Sequence, residues 1–491
     1  MSGTSNPERL STGVDGLDSI LHGGLIAGRS YLIRGEPGTG KTILGTQFLK
    51  AGVDNGETAL FINLEESEAD IRQNAASLGI DLAGVEFLDL SPSANVFVED
   101  QSYDILSASD VEKEPFIDAV TEAVSTLDPD RVFVDPITQL RYLTPDEHQF
   151  RKQAIGFMQY LTGQGATVMF TSQNTSETPD DDLQFMSDGT IQMESQEMGP
   201  TITVPKFRGS DADRGTHTVS ITGDGITVFP QMKPLEHSRE FKKESVPSGV
   251  PEIDELLNGG LERGTVSIIS GPTGVGKTTL GTQFIKQAAG RGERSVLYLF
   301  EESYSTFRER NESIGVPISQ MEDQGSLHIR EMEPLNLSPQ EFAHQVRTEV
   351  EEHGAEIVMI DGINGYQLSV QGGHDTLIRK LHALGRYLKN MGVTVIFVDE
   401  HQHVTGEFSA TNSGVSYLAD NIVFLQHVEL NGELQKVIGV LKKRTTKFER
   451  TLRQFEITEQ GVTVGEPMTD LRGILSGSPE WREPTKQTTD E

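Results

Sequence analysis

Two short stretches of this chain could hold a chain of phosphates. GEPGTGKT at 35–42 and GPTGVGKT at 271–278 both fit G-x-x-x-x-G-K-[ST]. Glycine turns let backbone N–H groups converge on phosphate oxygens, and the N-terminus of the helix that follows adds partial positive charge. Lys41 and Lys277 have the length to reach the β- and γ-phosphates, and Thr42 and Thr278 each offer a hydroxyl to Mg²⁺. Gly38, Thr39 and Gly40 in the first loop, and Thr273, Gly274, Gly276 and Thr279 around the second, complete two candidate ATP-binding sets. A strand-like run precedes each loop and a helical pattern follows it, so a chance match is the weaker reading.

The charged residues around these loops suggest the rest of a phosphoryl-transfer site. Asp135 ends the apolar run RVFVD and Asp361 ends EIVMID, where a carboxylate is needed for the Mg²⁺ shell. An Asp that merely starts a turn is the competing reading. Glu65-Glu66 and Glu301-Glu302 follow the runs TALFINL and SVLYLF. A carboxylate there could orient or deprotonate the attacking water or hydroxyl, and adjacent carboxylates raise each other's proton affinity. In so acidic a chain a solvated acidic turn stays open as the alternative. Lys206 with Arg208, and Lys442 with Arg444, lie far along the chain from the loops and could reach a phosphate on a neighbouring subunit. Ordinary surface ion pairing is the bland alternative. DEHQH at 399–403 lacks the second ligand pair of a closed metal site and reads better as a loop with Asp399 or Glu400 near the nucleotide.

These residues recur because the chain repeats itself. Lys41 and Lys277 stand 236 residues apart, and the same offset relates Glu65 to Glu301, Lys206 to Lys442 and Arg208 to Arg444. Between Asp135 and Asp361 the offset is 226, so one copy is longer before that Asp and the other after it. Within each copy short Val/Ile/Phe-rich runs alternate with helical stretches and the end is hairpin-like, which predicts a mostly parallel, doubly covered sheet with terminal hairpin strands. The expected organisation is a first domain over 1–230, a polar linker over 231–247, a second domain over 248–465 and a tail over 466–491. With 74 acidic against 41 basic residues the formal charge is −33, which disfavours a nucleic-acid surface and fits a protein kept soluble in concentrated salt. There is no cysteine, which excludes disulfides and thiolate chemistry. The polar N-terminus has no signal-peptide core and no apolar run reaches the roughly 18 residues of a membrane span, so a cytoplasmic location is expected.

Together STGVDGLDSILHGGL, SVPSGVPEIDELLNGGLERG, the two glycine loops, the EES triplets at 65–67 and 301–303, VPKFRG, VLKKR and DNIVFLQHVELNGE resemble the KaiC-like family of two-domain RecA-type circadian clock ATPases and autokinases and its archaeal relatives; the charge suits a halophilic, archaeal member. The resemblance covers nearly the whole chain. It implies tandem RecA-like P-loop domains, a homohexameric double ring, and ATP with Mg²⁺ between subunits. One subunit would supply the glycine loop, the glutamates and the Asp, and its neighbour Lys206 and Arg208 or Lys442 and Arg444. Glu65 and Glu301 match the proton acceptor, Glu301 is also implied near Mg²⁺, and Leu78 and Ile314 fall where the family packs against the base. The first domain would hydrolyse ATP, and the second would transfer phosphate to the chain itself. Ser416 matches the phosphorylated Ser, with Thr411 and Ser413 as further acceptors; Tyr417 stands where the family has Thr, and Ala212 where it has His. A signalling or timing role with protein partners follows from the resemblance alone. A DNA-dependent ATPase of RecA or RadA type would need basic or aromatic loops that this chain lacks, and a non-catalytic ATP-gated scaffold would leave the glutamates as solvated surface.

Overall fold

The computed structural model describes residues 7–91, 113–143, 146–173, 180–196, 199–333, 337–369, 374–401, 415–430, 432–469, 471–472 and 480–481. The chain forms two compact units, Met1–Gln231 and Met232–Glu491.

The first unit is built on nine strands: β1 (Ser30–Gly35), β2 (Ala59–Asn63), β3 (Val85–Asp89), β4 (Arg131–Asp135), β5 (Thr167–Gln173), β6 (Gly189–Gln196), β7 (Gly199–Phe207), β8 (His217–Thr222) and β9 (Gly225–Phe229). They form one sheet in the order β9-β8-β7-β6-β1-β5-β4-β2-β3. Strands β6 to β3 in that order run parallel, and β7, β8 and β9 extend the sheet by antiparallel pairing. The parallel strands are apolar without alternation because both faces are covered. Leu32, Leu60, Ile62, Val132 and Val134 pack into a core on one face, and Tyr31, Ile33, Phe61 and Phe133 into a core on the other, the period-2 split that a pleated strand imposes.

The second unit repeats this with β10 (Val266–Gly271), β11 (Ser295–Leu299), β12 (Leu327–Glu331), β13 (Ile357–Asp361), β14 (Thr394–Glu400), β15 (Asn421–Leu430), β16 (Glu433–Lys443), β17 (Arg453–Thr458) and β18 (Gly461–Pro467). The order is β18-β17-β16-β15-β10-β14-β13-β11-β12, the same topology with every strand advanced by nine. The fold is therefore α/β, a tandem pair of RecA-like domains. Of the stretch read as a linker, Pro234–Glu236 forms a short 3-10 turn and Ser245–Val246 already pairs with Leu261–Glu262. In the tail, Leu471–Arg472 pairs with Glu480–Trp481.

The helix after each glycine loop, α1 (Lys41–Asp54) and α2 (Lys277–Gly290), lies on the sheet through a glycine. A Cβ on Gly45 would fall 2.0 Å from the Phe133 ring, and one on Gly281 would fall 2.6 Å from the Met359 methyl. The ring cannot yield without moving β4, whereas methionine has rotamers to spare. Gly45→Ala is expected to cost about 2–3 kcal/mol of the first unit's stability and Gly281→Ala under about 1 kcal/mol in the second. Denaturant unfolding of the two variants checks the ordering.

Candidate nucleotide sites

Parallel strands end together, so the residues at their C-terminal tips meet. In the first unit Gly35 is in register with Gln173, and Asn63 with Asp135. The loop leaving β1 turns through Gly38 and Gly40, at φ +80° and +95°, conformations open to glycine at little cost. Among the described residues no heavy atom lies within 4 Å of a Cβ built on Gly38, so the loop faces open space at that position. Lys41 folds back across it and donates to the carbonyls of Gly35 and Glu36 at 2.9 and 2.8 Å. Its ammonium is buried, and burial lowers its pKa against the pull of Asp135. Thr42 donates from its hydroxyl to Asp135 at 2.6 Å, and Thr171 gives Asp135 a second hydroxyl. Burial raises the Asp135 pKa in spite of both. Glu65 accepts from the Gln173 amide at 2.8 Å. Glu66 is turned toward Asn74, and burial followed by repulsion from Asp135 raises its pKa.

The second unit has the same plan with other side chains. Gly274 and Gly276 turn the loop at φ +73° and +110°. Lys277 donates to the Pro272 carbonyl at 2.9 Å and lies 3.5 Å from the Glu400 carboxylate. Thr278 donates to Asp361 at 3.1 Å. Burial pushes the Asp361 carboxyl up to about 7; a divalent cation there would reverse that and hold it ionised. Glu301 accepts from the Gly365 N–H at 3.3 Å, and burial, followed by repulsion from Glu400, raises its pKa. A Cβ on Gly362 would strike the Glu301 side chain at 2.7 Å, so this glycine makes room for the glutamate. Glu302 is paired with Arg310 at 2.7 Å, which leaves Glu301 as the glutamate facing the loop.

These donors fit a nucleotide and its Mg²⁺. Among the described residues no cluster of three His, Cys, Asp or Glu side chains could hold a metal alone. Mg²⁺ commonly takes one or two carboxylates and completes its shell with phosphate oxygens and water. The Thr42–Asp135 and Thr278–Asp361 pairs could supply that part.

Leu78 and Ile314 end the helices Glu68–Ser77 and Tyr304–Ser313 and pack at the edge of their cores. They sit by the terminal hairpins: a Cβ on Gly79 would meet the Gly223 carbonyl at 2.7 Å, and one on Gly461 the Ile314 carbonyl at 3.6 Å.

The Lys-x-Arg residues are not brought to their own loops. Lys206 is in register with Thr190 near the start of β6, and Gly35 is in register with Met193 further along that strand. At about 3.3 Å per residue this puts Lys206 roughly 10 Å down the sheet from the loop and two strands to the side. There it donates to the Ser187 carbonyl at 2.6 Å and to that of Gln184, and Arg208, 55% exposed, donates to the Phe185 carbonyl at 3.4 Å. The second unit copies this. Lys442 donates to the Ser416 carbonyl at 2.9 Å, and Arg444, 51% exposed, donates to the Tyr417 carbonyl at 3.3 Å. Ser416 is thus at the Lys-x-Arg end of the domain. Thr411 and Ser413 lie outside the described residues.

No sequence motif marks Thr171, Gln173 or Asn364, whose amide donates to the Glu400 carbonyl at 3.1 Å. The third residue of each EES triplet has a structural role. Ser67 and Ser303 cap the helices that follow, accepting from the N–H groups of Asp70 and Thr306. The spacing S-x-x-D at Ser67 was a readable cap signal; Gln173 and Thr171 carried none.

A parallel sheet whose first strand runs through a glycine loop into a helix, with an Asp at the tip of the next strand but one beside the helix-start Thr, defines a P-loop ATPase core of the RecA type, here built twice. The family model described as the KaiC ATPase matches residues 10–233 and 246–469. The chain belongs to the KaiC ATPase family. It is similar to the circadian clock oscillator protein KaiC of Acaryochloris marina, 28% identical over 483 residues that cover 96% of this chain and 91% of the relative. The protein of that name from Synechococcus elongatus is 28% identical over 497 residues, covering 98% and 93%. That of Rippkaea orientalis is 28% identical over 502 residues, covering 99% and 94%. Among the described residues no helix is long and apolar enough to cross a membrane.

Proposed function

We propose that this chain is a Mg²⁺-ATP-dependent ring ATPase in which each nucleotide lies between two copies, and that its second domain phosphorylates the chain itself on Ser416, in a signalling or timing role. The observation that carries this reading is the opposite placement, in both units, of the glycine loop and the Lys-x-Arg pair. A cation held at the far end of its own sheet serves a neighbour's phosphates. In the first domain the chemistry is hydrolysis: Glu65 orients water toward the γ-phosphorus, and Arg208 of the adjoining copy neutralises charge as ADP leaves. In the second, Ser416, whose carbonyl accepts from Lys442, presents its hydroxyl to the adjoining copy's site. Its oxygen attacks the γ-phosphorus, Glu301 takes its proton and ADP departs. The family resemblance supports a homohexamer.

Mixing two inactive variants tests the shared site. Glu65→Gln and Arg208→Ala, each in a Lys277→Ala background, should each lose roughly 10²-fold or more of ATP turnover. Mixed oligomers contain sites with a native Glu65 from one copy and a native Arg208 from the next, so co-assembly should restore part of the activity. Absence of any restoration in verified mixed oligomers would refute the shared site.

A further inference from the structure

The two loops share a backbone but differ in what faces the lysine. In the second unit β14 ends at Glu400, in register with Gly271 of β10. One oxygen of its carboxylate is 3.5 Å from the Lys277 ammonium, and the other accepts from the Thr273 hydroxyl. In the first unit the matching strand tip is Gln173, in register with Gly35, and its amide is committed to Glu65 at 2.8 Å. Pro37 stands where Thr273 does, so no hydroxyl is offered there. Lys41 is held by two backbone carbonyls, and none of the ion pairs found among the described residues involves it.

Glu400 therefore claims the ammonium that a terminal phosphate would use, and is fixed there by the Thr273 hydroxyl. Its side chain is 33% exposed, at the mouth of the loop and not in the core. Two anions cannot share one ammonium without repulsion, and the repulsion grows with the charge that nucleotide brings to that end. A triphosphate carries one charge more than a diphosphate and puts it nearest Lys277. We propose that Glu400 sets nucleotide preference at the second site, disfavouring triphosphate relative to diphosphate, whereas the first site, with Gln173 in its place, lacks this bias. This rests on the reading that both loops hold adenine nucleotides.

The test uses the full chain with one loop weakened at a time. In a Lys41→Ala background, calorimetry with Mg²⁺-AMP-PNP and Mg²⁺-ADP reports on the second site. Glu400→Gln is expected to tighten AMP-PNP about tenfold, the size of a removed like-charge contact of about 1.4 kcal/mol, and to change ADP much less. In a Lys277→Ala background, Gln173→Glu should loosen AMP-PNP at the first site in the same selective way. A triphosphate-to-diphosphate ratio unmoved by Glu400→Gln overturns the proposal. So does a joint loss of both affinities with a lowered Tm, which would mean that Glu400 only braces the loop. If the Lys41→Ala chain binds neither nucleotide, the nucleotide-site reading itself fails, and this proposal with it.

Discussion

Glu301→Gln is expected to abolish phosphate on Ser416 while nucleotide still binds at the second site, with the transfer slowed roughly 10²–10⁴-fold. Glu301 follows β11 and faces the loop, held by the Gly365 N–H and given room by Gly362, while Glu302 is engaged by Arg310. Burial and the Glu400 charge both raise its affinity for a proton, which would suit the proposed role of taking one from a serine hydroxyl. Glutamine keeps the shape and the contact with Gly365 but cannot accept that proton. Glu302→Gln should have a smaller effect, since it loses a pairing with Arg310 and not the base. Peptide mass spectrometry after incubation with Mg²⁺ and ATP reads both outcomes. Equal phosphate in wild type and Glu301→Gln would remove Glu301 from the chemistry.

The second large effect concerns the loop lysines. Lys41→Ala and Lys277→Ala should each weaken ATP at their own site, by roughly 10- to 100-fold, as expected for loss of charge-assisted hydrogen bonds worth about 1.5–3 kcal/mol. The losses should be unequal. Removing Lys41 leaves two backbone carbonyls that can be solvated. Removing Lys277 leaves the Glu400 carboxylate facing the phosphates without its cation, so the second site should lose more. Lys277→Ala with Glu400→Gln should recover part of the difference. Nucleotide titration of the single and double variants checks this coupling; equal losses with no recovery would mean that Glu400 does not act on the phosphate end.

Much of this site is legible in the sequence because it is made of backbone. A glycine loop between a strand and a helix dictates its own geometry, and duplication at a constant offset marked Lys41, Lys277, Glu65 and Glu301 as matched pairs. Asp135 and Asp361 were legible as the ends of apolar runs, since buried parallel strands stop where their tips meet solvent or ligand. What escaped needed strand register. That Lys206 and Arg208 sit at the far end of their sheet follows from Lys206 pairing with Thr190, a relation between residues on different strands. Ser416 beside Lys442 is a contact of the same kind. The Glu400–Lys277 pair was half visible: DEHQH pointed to a carboxylate near the nucleotide, but the contrast with Gln173 emerges only when β5 and β14 are laid against β1 and β10. Thr171 looked like any strand threonine until β4 and β5 placed it against Asp135.

The most direct test of two working nucleotide sites is a count. Equilibrium dialysis of the purified full chain against Mg²⁺ and AMP-PNP, at concentrations that saturate binding, should give two nucleotides per chain. Lys41→Ala and Lys277→Ala should each shift one of the two to weaker binding. One nucleotide per wild-type chain, or two tight ones that survive both substitutions together, would contradict the account.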